Sequence, residues 1–213
     1  HEQNDRPGLT NRILAPWVRK VAVSFEETRH HFGGRGELTG NPIRTVFRGV
    51  KRKTRGDTFN VLIFGGSQGA KALNGAVIDA LPHLQEHRLG LRFTHGTGTR
   101  DFERVSAAYA ALGFEAGVHP YITTIREAYE WADLVIARAG ASSVSEIAAC
   151  GKASILVPLP TSAHDHQRFN AKLLADVGAA AVALEDELTT DSLAGALNAL
   201  LKAAARLGRM AVS

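Results

Sequence analysis

The stretch NVLIFGGSQGAKALNGAVIDAL, residues 60–81, decides the fold. Its apolar run Val61, Leu62, Ile63 and Phe64 lacks polar alternation, the pattern of a short strand covered on both faces. Gly65, Gly66 and Gly69 follow. Ala72, Leu73, Ala76, Val77, Ala80 and Leu81 then recur at the spacing of a helix with one buried face. A buried strand, a glycine turn and an amphipathic helix make half of a parallel βαβ unit. Glycines at such a turn let backbone N–H groups approach a phosphate, which the helix N-terminus stabilises. The turn is not Gly-x-Gly-x-x-Gly and no Lys-Ser/Thr follows it, so neither the dinucleotide nor the P-loop fingerprint is met. Phosphate binding and a plain tight turn are both open readings on these residues.

The same alternation continues along the chain. LRFTHG (91–96) reads as a strand, residues 101–112 as a helix, and 117–119 as a short strand. Ile125, Ala128, Tyr129 and Ala132 mark a helix, LVIA (134–137) a strand, and SSVSEIAAC (142–150) a helix. SILVPL (154–159), a helix over 169–176, AAAVAL (179–184) and a helix over 191–202 complete the series. The expected class is α/β, a doubly wound, Rossmann-like parallel sheet with ligands at the carboxyl ends of its strands. Residues 1–56 depart from the pattern: a helix over 9–19, a strand over 21–25, a polar His-rich turn over 26–36, and a strand ending at Gly40-Asn41-Pro42. These cannot bury a core alone. They read as the remnant of a preceding domain (1–44) and a linker (45–56) before a domain over 57–213, whose last helix looks cut short. The absence of an initiator methionine before His1 fits a fragment.

Two further segments could carry chemistry. In RAGASSVSEIAACGK, residues 138–152, Ser142 and Ser143 are candidate N-caps, and Ser143 to Glu146 has capping-box spacing. Capping would suffice alone. A second phosphate-competent helix start on the rim that holds Gly65 to Gly69 is better explained by one phosphorylated ligand. In the loop after Pro160, His164-Asp165-His166 invites a zinc reading, but no Cys/His cluster lies at ligand spacing. That loop, with Gln167 and Asn170, reads as one contacting a hydrophilic ligand or as merely solvated.

Composition bounds the rest. The net charge is +4 with pI near 9.5, and the densest basic run, RGVKRKTR (48–55), is either a solvated linker or attracted to an anionic partner or membrane surface. No aromatics interleave with basic residues as in a single-strand nucleic-acid groove. The lone cysteine, Cys150, reads as a buried helix-end thiol in a reducing compartment. No signal peptide or membrane-length apolar segment is present.

Taken in order, HEQN (1–4), GLTN (8–11), GNPIR (40–44), GGSQGAKALN (65–74), Tyr121-Ile122, residues 138–152, DHQRFNA (165–171) and DVGAA (176–180) resemble the C-terminal half of the MurG family of peptidoglycan glycosyltransferases. The resemblance implies the C-terminal donor half of a GT-B glycosyltransferase. It implies inverting transfer of N-acetylglucosamine from UDP-GlcNAc to lipid I, giving lipid II, at the cytoplasmic face of the inner membrane. UDP-GlcNAc is then a substrate, and no cofactor, metal or nucleic acid is implied. Carried over by position, Asn4 faces the donor and Arg44 contacts the nucleotide. Gly66, Ser67, Gln68 and Gly69 offer N–H groups to the diphosphate. Ile122 contacts uracil through its main chain. Ala141, Ser142, Ser143, Val144, Ser145 and Glu146 line ribose and phosphates, with Glu146 on the ribose hydroxyls. Gln167 reads the GlcNAc hydroxyls. The general base and the lipid I contacts belong to an N-terminal domain the sequence lacks, so weak donor binding without turnover is expected of this chain. Two alternatives are another GT-B glycolipid transferase, which HEQN and DHQRFNA argue against, and a non-catalytic nucleotide-binding Rossmann module.

Overall fold

The computed structural model describes residues 1–50, 58–66, 69–162, 165–188 and 190–202. It opens with helix α1 (Leu9–Leu14) and a 3₁₀ turn (Ala15–Trp17), then strand β1 (Val21–Val23), helix α2 (Glu26–Arg29), a 3₁₀ turn (His30–Arg35) and strand β2 (Gly36–Leu38). Pro16 supplies no N–H and falls in the 3₁₀ turn, so α1 ends well before residue 19. The expected polar turn over 26–36 is instead the short helix α2 and its 3₁₀ extension, linking two parallel strands. Four residues are too few to show helical periodicity in sequence, while Glu26 and Glu27 in its first turn suit the helix dipole. The linker is not wholly solvated either. Thr45–Phe47 forms a 3₁₀ turn, and Phe47 is fully buried edge-on against Tyr129.

From residue 58 onward the alternation holds. The strands are β3 (Phe59–Phe64), β4 (Leu91–Gly96), β5 (Glu115–His119), β6 (Leu134–Ala137), β7 (Ser154–Leu156) and β8 (Ala180–Val182). The helices are α3 (Lys71–Ala80), α4 (Phe102–Leu112), α5 (Ile125–Trp131), α6 (Ala141–Ala149), α7 (His166–Asp176) and α8 (Thr190–Lys202). All six strands pair in parallel, in the order β5-β4-β3-β6-β7-β8. This is the doubly wound arrangement.

Successive side chains on a strand point to opposite faces. Val61 and Ile63 of β3, with Leu134 and Ile136 of β6, therefore join a core containing Leu73, Val77 and Leu193 from α3 and α8. Leu62, Val135 and Ala137 turn the other way, against Tyr129, Val144 and Ile147 from α5 and α6. Two cores, one on each face, explain why the strand sequences are continuous apolar runs rather than alternating ones.

Candidate functional site

The strand order reverses between β3 and β6. From β3 the chain leaves through α3 to β4 on one side, and from β6 through α6 to β7 on the other. Neighbouring connections on opposite faces leave a crevice at the carboxyl ends of these two strands. Phe64 and Ala137 end the strands as register partners, so the turns after them open side by side.

A cavity of about 320 Å³ occupies this crevice. Gly66, Ser142, Ser143 and Glu146 form one wall, and Gly96 and residues 120–123 form the other, with Arg44 at the mouth. Gly66 has φ +90°, a conformation that glycine adopts without steric cost. At Gly96 a Cβ would lie 3.1 Å from Ile122 Cδ1, so the absent side chain lets that wall close on the strand end.

The expected capping box does not form. Helix α6 begins at Ala141 with Gly140 as N-cap, and no side chain caps it. Ser142 and Ser143 thus sit inside the helix start, two and three residues past the capping position. Glu146 does not turn back to Ser143; its carboxylate is 3.5 Å from Arg44 Nη2. Burial raises the Glu146 pKa above the ordinary carboxylate value, and the nearby Arg44 guanidinium only partly opposes that rise. Beneath it the Tyr129 hydroxyl is buried without a hydrogen-bond partner. Its pKa is pushed well up by burial and then by the charge of Glu146.

The other expected site residues divide. Val144 is core, 1% exposed. Ser145 Oγ donates to Ala141 O at 2.8 Å and accepts from Asn41 Nδ2 at 3.1 Å, so it faces the GNPIR segment. Ser67, Gln68 and His164 lie outside the described residues, as does most of the basic run. Gln167 lines a neighbouring cavity of about 670 Å³ with Gly65, Gly69, Arg138 and Glu185. Its Oε1 accepts from Leu159 N at 3.0 Å. In that cavity Arg138 pairs with Glu185 and donates to the carbonyls of Val157 and Pro158.

Asn4 lines neither cavity. Its N–H and Nδ2 donate to Glu2 Oε1 at 3.0 and 3.3 Å, and its Oδ1 accepts from Asn170 Nδ2 at 3.3 Å. The fully buried Asn170 also donates to Ala139 O and accepts from Asp5 N, tying the first segment to the turn between β6 and α6. The buried Glu2 carboxylate takes N–H groups from Asn4, Gly8 and Asn11. Although burial alone would raise its pKa, those donors lower it. Sequence reasoning missed Glu2, Asn41 and Asn170 as organisers. All three stand inside the quoted motifs, which was the available signal.

Residues 60–213 match the glycosyltransferase family 28 C-terminal domain. The chain belongs to that family. Among curated relatives, the UDP-N-acetylglucosamine--N-acetylmuramyl-(pentapeptide) pyrophosphoryl-undecaprenol N-acetylglucosamine transferase of Syntrophus aciditrophicus (strain SB) is 51% identical over 197 residues, covering 91% of this chain and 54% of the relative. The transferase of the same name from Citrifermentans bemidjiense is 44% identical over 214 residues, covering 99% and 60%. The crystal structure of Acinetobacter baumannii MurG superposes with a TM-score of 0.82 at 37% identity, covering all of this chain and 60% of that one. A UDP-bound structure of S. aureus MnaA, at 8% identity and a TM-score of 0.66, shares the fold alone. The family 28 chain thus spans a little over half the length of the relatives it matches. Its sheet is the Rossmann-like C-terminal fold of the GT-B glycosyltransferases.

Proposed function

We propose that the chain holds UDP-GlcNAc as the donor half of an inverting N-acetylglucosamine transferase that acts on lipid I to make lipid II. The observation that carries this reading is the cavity at the switch point, where the uncapped start of α6 meets the glycine turn after β3 beside Glu146 and Arg44. The names of the relatives supply the substrates. Residues 1–44 are read as the end of an acceptor-side domain, residues 45–56 as the linker and 57–213 as the donor domain.

In this reading uracil lies against the Ile122 main chain. Glu146 accepts from the ribose hydroxyls, a role for a carboxylate that would repel the diphosphate itself. Arg44 contacts the nucleotide from the linker. The diphosphate takes backbone N–H groups from Gly66, Ser67 and Gln68 and from the start of α6, while the Gly69 N–H closes the turn on Gly66 O at 3.1 Å. Donors fixed before reaction stabilise the negative charge that grows on UDP as it leaves. The acceptor hydroxyl oxygen bonds to the anomeric carbon as its bond to UDP breaks, inverting that centre. None of the described residues is assigned as the base that takes the hydroxyl proton. Gln167 reads the GlcNAc hydroxyls. Lipid I contacts and docking at the inner face of the membrane are assigned outside these residues. Among the described residues no helix is long and apolar enough to cross a membrane.

Calorimetry tests the proposal. UDP-GlcNAc is expected to bind more tightly than UDP-glucose, and NAD not at all. Gln167→Ala should abolish the sugar preference while leaving UDP affinity intact. A folded chain that binds no UDP-GlcNAc would sink the reading, and binding indifferent to the sugar would favour a plain nucleotide module.

A further inference from the structure

Behind the glycine turn lies a buried polar cluster with no part in the donor contacts above. Asn74 on α3, His95 near the end of β4 and Thr97 just beyond it are 0%, 0% and 1% exposed. Asn74 Nδ2 donates to Thr97 O at 2.9 Å and to Asp101 Oδ2 at 2.8 Å. With its N–H₂ group so engaged, Asn74 Oδ1 must accept, and His95 Nε2 lies 3.0 Å away as the donor. His95 Nδ1 is then the acceptor for the Tyr109 hydroxyl at 3.3 Å. One tautomer of a neutral imidazole satisfies every contact, and the orientation of the amide follows from it.

The carbonyl that Asn74 holds is a structural seat. A Cβ at Gly69 would lie 2.2 Å from Thr97 O, so the glycine turn rests directly on this peptide. On its other side the same peptide is tied to the far wall of the cavity: Thr97 N donates to His119 O at 2.9 Å and Gly98 N to Pro120 O at 3.0 Å. Pro120 leads straight into Tyr121 and Ile122, which line the candidate nucleotide site. A leucine at position 74 could fill this space without burying an amide, but it could not fix the carbonyl.

We infer that Asn74, oriented by His95, is a positioning residue that sets the spacing between the glycine turn and the wall formed by residues 120–123. This inference rests on the donor-site reading and adds to it. Asn74 touches no ligand. It acts through Thr97, whose carbonyl seats Gly69, to hold the turn at its place beside the diphosphate, whereas the nucleoside contacts need only the far wall and Glu146.

The test compares uridine, UMP and UDP as ligands for the full chain and for Asn74→Ala, using calorimetry for the nucleotides and ligand-observed NMR for uridine. The affinity ratio of UDP to uridine is expected to fall roughly tenfold in the variant, the size of effect seen when charge-assisted hydrogen bonds are lost, with uridine binding nearly unchanged. A merely structural role would move both ligands together and leave the ratio as it was. That result overturns the inference alone. Failure of the unaltered chain to bind UDP overturns the donor reading, and this inference with it. If Asn74→Ala does not fold, Tyr109→Phe decides, since it loosens His95 while keeping the aromatic ring. A ratio reduced about twofold supports the inference, within the range of a neutral hydrogen bond, and an unchanged ratio overturns it.

Discussion

At Glu146, burial and proposed function pull in opposite directions. Its side chain is 17% exposed, and burial lifts its pKa even with Arg44 beside it. A raised carboxylate pKa means that the fold favours the neutral acid, so the charged form costs stability at neutral pH. Glu146→Gln is therefore expected to raise the melting temperature while weakening UDP and UDP-GlcNAc alike, by about tenfold or more for a charge-assisted contact. Thermal melting and calorimetry on one sample check both halves. UDP binding should also fade on acidification as pH drops through the raised pKa, starting above the range of an ordinary carboxylate. The variant should lack that dependence.

The glycine turn and the elements behind it show the same economy at larger scale. Gly69 has φ +73° and no room for a Cβ, so Gly69→Ala is expected to cost at least about 1–2 kcal/mol in urea unfolding, from backbone strain alone. Gly75, inside α3, has an ordinary φ and open space around it. Gly75→Ala should instead stabilise by roughly 0.5–1 kcal/mol. His95 makes a separate prediction. Burial holds its pKa down to about 3 against an ordinary value of 6.5, with Asp101 only partly opposing. The fold binds the neutral imidazole, so its contribution is fully present above pH 6.5 and is lost as pH falls from there towards 3. Denaturation at pH 7 and pH 5 should show this loss, and His95→Gln should flatten it. Asn74 stands inside the quoted GGSQGAKALN motif, but its partners were not legible in sequence. Asn74 and His95 lie 21 residues apart, on a helix and a strand whose apolar pattern they interrupt without marking a partner.

Across the whole molecule, polar side chains help tie the first segment to the sheet domain, beside the packing of Ile43 and of Arg6 on Phe169. Asn170→Ala removes the bonds to Asn4, Asp5 and Ala139 together. It should lower stability by about 1–3 kcal/mol and speed hydrogen exchange at the Asp5 amide, while core strand amides stay protected. Such bridges join residues up to 166 positions apart, which no local pattern can announce. The same limit applies to the capping-box reading of Ser143 and Glu146. Its spacing was correct, but the helix starts at Ala141 and Arg44 claims the carboxylate. The alternation of strands and helices from residue 58 onward was written in the sequence, because both faces of each central strand must be apolar and each helix needs one apolar stripe. That alone determined the fold class and the two glycine- and serine-rich turns at the strand ends. Only the tertiary structure decided that β3 and β6 are neighbours, that Glu146 meets Arg44, and that Thr97 seats the glycine turn. Strand order and side-chain pairing arise from packing between distant segments, and periodicity carries no record of it.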